Sequence, residues 1–175
     1  MVETHTAKNF VTVKDVIGNL EPIASGEVSK SDPIHRAAKL SDKNIARIRQ
    51  SKQGGTWRDW SEDLVLDCHK KKSGKSYASV YGRMDWNKPA PTMTTFCTGI
   101  GNGRFGHPEQ DRAISLREAA IIQTFPVNYK FAPVDELLSS TRLSTHIGNA
   151  VPVVLGEVVA KSIKFHLDAY ENVKK

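Results

Sequence analysis

Residues 115–126, SLREAAIIQTFP, carry the clearest local prediction in the chain. Ser115 and, three residues later, Glu118 form a capping box, in which each side chain accepts a hydrogen bond from a backbone N–H that the first helical turn leaves free. The apolar run 119–122 extends the pattern, and Pro126 ends it because proline cannot donate to the helical ladder. The sequence therefore predicts a helix over residues 115–123.

A second, longer helix is predicted from Pro152, since the missing N–H of proline costs little in a first turn. The following apolar side chains recur at helical spacing, which predicts one buried stripe: Val154, Leu155, Val158, Val159, Ser162, Ile163 and His166. Gly148 and Asn149 stand just before this helix. Backbone N–H groups and an amide at a helix N-terminus can hold a carboxylate. A tight turn into a core helix explains the same two residues equally well.

The upstream patterns are shorter. Helical spacing predicts a short helix over residues 11–20, and Ser41 is a typical N-cap for a second helix that ends before a glycine pair. Residues 91–96 alternate in character, with Thr92 and Thr94 on one face, which predicts a strand.

The composition indicates a basic globular protein. Its 175 residues, 39% of them hydrophobic, suffice for one domain or one large piece of a split domain. The net charge of +6 favours a polyanionic partner, because binding to phosphates releases counterions, although many basic proteins bind no nucleic acid. The polar N-terminus, the lack of an apolar run near the ~18 residues of a membrane span and the two cysteines predict a cytoplasmic protein with free thiols and no membrane partner.

Three local patterns resemble known sites without meeting their requirements. Residues 101–106 match the glycine spacing of a dinucleotide loop, but HPEQDR after them is a poor helix start. The two cysteines, His69 and His107 have a spacing that fits no structural zinc site, so no metal is expected. Residues 69–75, HKKKSGK, either contact DNA phosphates or form a solvated basic loop.

Six runs along the chain, taken in order, share their pattern with one enzyme family. Residues 95–126, TFCTGIGNGRFGHPEQDRAISLREAAIIQTFP, and 146–163, HIGNAVPVVLGEVVAKSI, are the longest. The upstream runs are VTVKDVIGNLEPI (11–23), HRAAKLSDKNIARI (35–48), GGTWRDW (54–60) and YGRMDWNKPAPTMTT (81–95). Together they resemble the target-recognition region and the ninth and tenth motifs of bacterial and phage cytosine-5 DNA methyltransferases. The resemblance covers roughly residues 11–167.

The resemblance implies transfer of a methyl group from S-adenosylmethionine to cytosine C5 in double-stranded DNA, with the base flipped out of the duplex. In the family, the cysteine of a Pro-Cys motif attacks C6, and a glutamate assists. Here Cys68 follows Asp67 and Cys97 follows Phe96, and the family's glycine-rich, Glu-Asn-Val and arginine-rich motifs are not found. We therefore expect no catalytic residue and no methylation by this chain alone, and a separate polypeptide that carries the missing motifs.

Five residues match the family's two C-terminal motifs. Asn149 resembles the asparagine near the amino-acid end of the cofactor, where Gly148 and Ala150 would shape the wall of the pocket. Arg117 and Glu118 match the Arg-Glu of the ninth motif, which in the family organises the recognition domain against the catalytic one.

DNA contacts are expected from the recognition region. Thr92-Met93 resembles the family dipeptide, a threonine and an aliphatic residue, that approaches the target nucleotide, and Thr94 shares its face. Arginine suits phosphates and guanine edges, so the further candidates are Arg83, Arg104, His107 and Arg112. For each of these four, a structural salt bridge is an equal alternative.

The expected fold is α+β and partial. Residues 1–112 would form a small, irregular target-recognition region, and residues 113–175 would carry the motif-nine helix and the motif-ten helix that completes an α/β methyltransferase domain. The function that follows is a C-terminal fragment or small subunit of a restriction-modification methyltransferase. The alternative is a stand-alone, sequence-specific DNA-binding module without catalysis.

Overall fold

The computed structural model describes residues 9–131 and 139–173. The described ranges contain six α-helices: α1 (Val13–Ile17), α2 (Asp42–Gln50), α3 (Asp67–Lys70), α4 (Leu116–Ile122), α5 (Ser140–Asn149) and α6 (Val153–Val173). Short 3-10 turns lie at Trp57–Asp59, Gly74–Ser76 and Ile100–Asn102.

Side-chain caps start the helices that the sequence predicted most clearly. Ser115 accepts a hydrogen bond from Glu118 N at 3.0 Å, and the Glu118 carboxylate accepts one from Ser115 N at 2.6 Å, so the predicted capping box of α4 is confirmed. Ser41 caps α2 through Asn44 N at 3.4 Å, also as predicted. Thr12 and Asp15 form a further capping box at the start of α1.

The predicted strand over residues 91–96 is wrong. β pairing in the described residues is limited to isolated bridges between Val28 and Arg36, Arg83 and Gly106, and Gly106 and Ala113. Residues 91–94 have no regular secondary structure and no β-bridge partner, and residues 95–98 form a turn. The alternation of polar and apolar residues indicates only which side of the segment is buried. A β-strand also needs a neighbouring strand to accept and donate its backbone hydrogen bonds. The described chain is therefore helical and irregular, and the α+β class is not reproduced in it.

One apolar core joins both sides of the boundary predicted at residue 112. Helix α4 packs against both α1 and α5. The shared core consists of Val13, Ile17, Met84, Met93, Cys97 and Phe105 from the first part and Ile114, Leu116, Ala119, Ala120, Leu143 and Ile147 from the second. The described residues before position 112 and helices α4 and α5 thus share one core.

Helix α6 begins at Val153, directly after Pro152, as the sequence predicted, but its apolar stripe is exposed rather than buried. The side chains of Val154, Leu155 and Ile163 are 50%, 51% and 57% exposed. Residues Ser140–Tyr170, spanning α5 and α6, include an 18-residue window of mean hydropathy 1.3 that is 17% buried, enough by length and composition to cross a membrane. This segment is not one continuous apolar helix, because α5 ends at Asn149 and α6 begins at Val153. A helix face that packs against another protein domain meets the same criterion.

Candidate functional site

A groove of about 730 Å³ lies where the extended segment at Thr92 meets the ends of α4 and α5. Its walls come from parts of the chain that are far apart in sequence: Val11, Thr12, Val16, Ala90, Pro91, Thr92, Met93, Ile122, Gln123, Thr124, Gly148, Ala150, Pro152, Val154 and Leu155. Two groups of residues singled out in the sequence, Thr92-Met93 and Gly148 with Ala150, are therefore brought to one cavity.

The segment at Thr92 presents hydroxyls to solvent on an apolar support. Thr92 and Thr94 are exposed, whereas Met93 is 7% exposed and belongs to the core. The Ser144 hydroxyl of α5 donates to Thr95 O at 2.8 Å. Thr92, which lines the groove, and Thr94 are accordingly held on a backbone that is anchored by Met93 and Ser144.

The turn between α5 and α6 differs from the sequence prediction. Gly148 and Asn149 lie in the last turn of α5, with Ala150 as its C-cap, and do not form a loop before α6. Gln123 Nε2 donates to Ile147 O at 2.9 Å and to Ala150 O at 3.1 Å, which satisfies carbonyls that the helix end leaves free. The missed helix places these residues at the C-terminal end of one helix, just before the N-terminal end of another.

Asn149 remains available to a ligand. Its side chain is exposed, and its amide makes no hydrogen bond within the described residues. Thr124, whose φ of 62° is rare for a β-branched residue, accepts a hydrogen bond from Val154 N at 3.1 Å and so caps α6 across the groove. The exposed Asn149 amide thus lies at the turn between α5 and α6, next to Gly148 and Ala150 of the groove.

Arg112 and Glu118 form a buried ion pair in the structural core. Arg112 is 0% exposed and Glu118 is 1% exposed. Their two hydrogen bonds, Nη1 to Oε2 at 2.7 Å and Nη2 to Oε1 at 2.8 Å, make the pair bidentate. Burial opposes ionisation of Glu118, but the hydrogen bonds and charge of Arg112 outweigh it and lower the pKa of the carboxyl.

Arg83 is also buried and has its donors occupied. Its Nε donates to Ile48 O and Ser51 O at 3.1 and 3.0 Å, and Nη1 donates to backbone carbonyls of the 107–110 turn. Its Nη2 contacts Asp111 at 2.6 Å. Arg83 and Arg112 therefore make salt bridges and hydrogen bonds within the protein, which is the alternative to DNA contact that the sequence left open.

His107 is neutral and buried. Burial lowers its pKa to about 4. Its Nδ1 accepts hydrogen bonds from Glu109 N at 3.2 Å and Gln110 N at 3.0 Å, which leaves the proton on Nε2. The 3.7 Å separation between Nε2 and the Glu118 carboxylate is thus a contact with a neutral ring and not an ion pair at neutral pH.

Arg104 and Arg117 are less completely hydrogen-bonded than Arg83 and Arg112. Arg104 is half-buried, its Nε has no hydrogen-bond partner, and its side chain makes no hydrogen bond within the described residues. Arg117 binds Asp32 through Nε at 2.5 Å and Nη2 at 3.2 Å, which ties α4 to the loop at residue 32. Of the four predicted DNA contacts, Arg104 is the one whose side chain makes no hydrogen bond within the described residues, although its Nε is buried.

The basic segment separates into a buried histidine and exposed lysines. His69 is 6% exposed and stacks on Trp57 with ring centroids 4.5 Å apart, and burial lowers its pKa. The lysines of this segment are exposed: Lys70, Lys71, Lys72 and Lys75. Trp57 and Trp60 are 8% and 7% exposed and act as core anchors.

The cysteines and histidines are not arranged for a metal site in the described ranges, where no three His, Cys, Asp or Glu residues cluster. Cys68 is exposed and Cys97 is buried, and both are free thiols. Burial raises the pKa of Cys97, whose Sγ lies 3.7 Å from the Ser144 hydroxyl.

Ser144, Gln123 and Thr124 are polar residues of the site that the sequence did not single out. Their neighbours in sequence give no sign of the contacts that they make. One signal was available for Ser144, because it lies four residues before Gly148 and therefore on the same helix face.

Comparisons with known proteins agree on one family. The profile of the C-5 cytosine-specific DNA methylases matches residues 2–165. Type II methylase M.HgiDII of Herpetosiphon aurantiacus is 61% identical over 165 residues, which are 94% of this chain and 46% of that protein. Type II methyltransferase M.AquIB of Picosynechococcus is 32% identical over 139 residues, 76% of this chain and 88% of that protein. The chain thus spans less than half of the first relative and most of the second.

Proposed function

The chain belongs to the C-5 cytosine-specific DNA methylase family, and we propose that it is the C-terminal fragment or small subunit of a DNA (cytosine-5)-methyltransferase. In this proposal it recognises a DNA target and supplies part of the S-adenosylmethionine pocket, while the catalytic cysteine comes from outside these residues. The observation that carries the proposal is the groove shared by Thr92 and Met93 and by Gly148 and Ala150.

The proposed DNA-facing surface consists of side chains with free polar groups. Thr92 lines the groove, Thr94 is exposed two residues further on, and Arg104 is half-buried with no side-chain hydrogen bond within the described residues. The lysines at 70–72 and 75 add positive charge for phosphates. Arg83, His107 and Arg112, which the sequence offered as DNA contacts, support this surface from inside the protein.

The proposed cofactor-facing surface is the turn that ends α5. The exposed Asn149 amide would bind the amino-acid end of S-adenosylmethionine, with Gly148 and Ala150 forming the adjacent wall. When bound, the cofactor supplies the methyl group. A carboxyl–amide hydrogen bond at this end orients the cofactor and leaves the chemistry to other groups.

The proposed separate catalytic polypeptide would cover α6. Val154, Leu155, Val159 and Ile163 are each at least 41% exposed on this helix, and exposed apolar surface favours association. The relative M.AquIB is itself matched over 88% of its length, so a chain of similar extent is found among the methyltransferases.

Complementation tests the proposal. This chain would be coexpressed with the part of M.HgiDII that it does not cover, and transfer of labelled methyl groups to cytosine in duplex DNA would be measured. We expect transfer with both parts and none with either alone. A folded mixture that binds DNA and S-adenosylmethionine but transfers no methyl group would contradict the proposal.

A stand-alone DNA-binding module is the second candidate, and one observation favours it. The core cluster from Val13 to Ile147 is complete without α6. This candidate predicts that the isolated chain selects a sequence from random duplexes in a gel shift and that its affinity falls with salt. Binding that requires the complementary fragment would contradict it.

A further inference from the structure

At Gly148, helix α5 packs so closely against the backbone of Thr94 and Thr95 that a side chain would not fit between them. A β-carbon on Gly148 would overlap the carbonyl group of Thr94 and would lie 2.6 Å from Thr95 N. These are backbone atoms, which cannot move aside as the end of a flexible side chain can. Glycine at this position therefore sets the distance between α5 and the segment that carries Thr92 and Thr94.

Ser144, one turn earlier on the same face, fixes the register of that contact. Its hydroxyl donates to Thr95 O at 2.8 Å, and the residue is 2% exposed. Since a buried carbonyl without a donor is costly, this hydrogen bond favours one placement of the Thr94-Thr95 peptide. Met93, which packs into the same core as Leu143 and Ile147, is the third anchor.

The C-terminal end of α5, where Gly148 lies, is also held by Gln123, the C-cap residue of α4. Gln123 Nε2 bridges Ile147 O and Ala150 O, at the turn that carries Asn149. One rigid helix thus has the proposed cofactor-facing amide at its end and the support for the proposed DNA-facing threonines along its side.

We propose that Ser144 and Gly148 are positioning residues, which hold Thr92 and Thr94 at the distance from the Asn149 turn that methyl transfer to DNA requires. This inference rests on the proposed function. It also changes the role expected for Gly148, which supports the DNA-facing segment in addition to lining the groove.

Paired glycine substitutions test the inference in the complemented enzyme. Gly148→Ala should raise the KM for duplex DNA at least tenfold, because the Thr94 backbone must shift, and should raise the KM for S-adenosylmethionine by a smaller factor. Gly156→Ala is the matched control, since a β-carbon at Gly156 meets nothing within 4 Å. It should leave both constants unchanged.

The serine variants separate positioning from stability. Ser144→Ala should raise the KM for DNA about three- to tenfold, and Thr145→Ala on the same helix should not. A role confined to stability would lower the thermal midpoint and the active fraction without moving either KM, and that result would overturn the inference. Absence of methylation by the unmodified pair would instead contradict the proposed function, so the two failures are distinguishable.

Discussion

Charged side chains are buried around Arg112, whereas apolar side chains are exposed to solvent along α6. Arg112 is 0% exposed, and Phe165 of α6 is 78% exposed. The first region is complete, because every charge that it buries has hydrogen-bonded partners from the same chain. The second region has apolar surface without a partner in the described residues.

This difference shows which region is stabilised by contacts within the chain and which region has apolar surface available for another protein. A buried charge is tolerated only when it is paired and hydrogen-bonded, so the Arg112 region depends on partners from its own chain. An exposed apolar helix is tolerated in a stable protein when another surface covers it. We therefore expect substitutions in the first region to alter the free energy of unfolding of this chain, and those in α6 to alter assembly.

The largest effect is expected from breaking the buried pair. Arg112→Met should reduce the free energy of unfolding by about 4 kcal/mol, because Glu118 keeps a buried charge without its partner. Urea denaturation measures the loss. Arg49→Met is the control, since Arg49 makes an ion pair with Asp111 while its side chain is 67% exposed, and it should cost about 0–1 kcal/mol. Equal costs for the two substitutions would contradict the comparison.

The same substitution in two consecutive helices should give different results. Ile147 is 0% exposed in α5, and Ile163 is 57% exposed in α6. Ile147→Ala should lower the free energy of unfolding by about 3 kcal/mol by leaving a cavity, and Ile163→Ala should change it by less than about 0.5 kcal/mol. Urea denaturation of the isolated chain measures both values. A large loss at Ile163 would show that α6 is packed against this chain.

Acid should weaken the buried region. Because burial lowers the pKa of His107 from 6.5 to about 4, the unfolded chain binds more protons between these values, and stability falls as the pH falls through that window. The loss from pH 7 to pH 5 should be about 2 kcal/mol in the free energy of unfolding. The lowered pKa of Glu118 adds a further loss at more acidic pH.

Thermal melts of two histidine variants identify the group. His107→Asn retains an acceptor for the backbone N–H donors of Glu109 and Gln110 and should flatten the pH dependence. His166→Asn, on the exposed side of α6, should leave it unchanged. A pH dependence that persists in the His107 variant would assign the effect to another group.

The helix starts were predictable because they depend on neighbours. Ser41, the Ser115–Glu118 pair and Pro152 each act within four residues, and all three mark observed helix starts. Helix α5 was missed, since STRLSTHIGN is mostly polar and contains glycine. It is stabilised by Leu143 and Ile147, which pack against core residues distant in sequence.

The site was predictable in part. The resemblance singled out Thr92 and Asn149, and the structure brings their segments to one groove. It did not single out Ser144 or Gln123, whose partners are backbone atoms 49 and 24 residues away. The sequence around a single polar residue does not indicate its distant hydrogen-bond partner, because any backbone carbonyl can accept the hydrogen bond.

By itself, the sequence determined the caps of α2 and α4, the start of α6 and the family, since these depend on residue types at fixed short spacings. The tertiary structure alone decided which charges are buried. Arg83, Arg104 and Arg112 are the same residue in similar surroundings along the chain, yet carbonyls and carboxylates gathered from distant segments take up the donors of Arg83 and Arg112. Those partners meet only after the chain has folded, whereas the Arg104 side chain makes no hydrogen bond within the described residues and its Nε is buried.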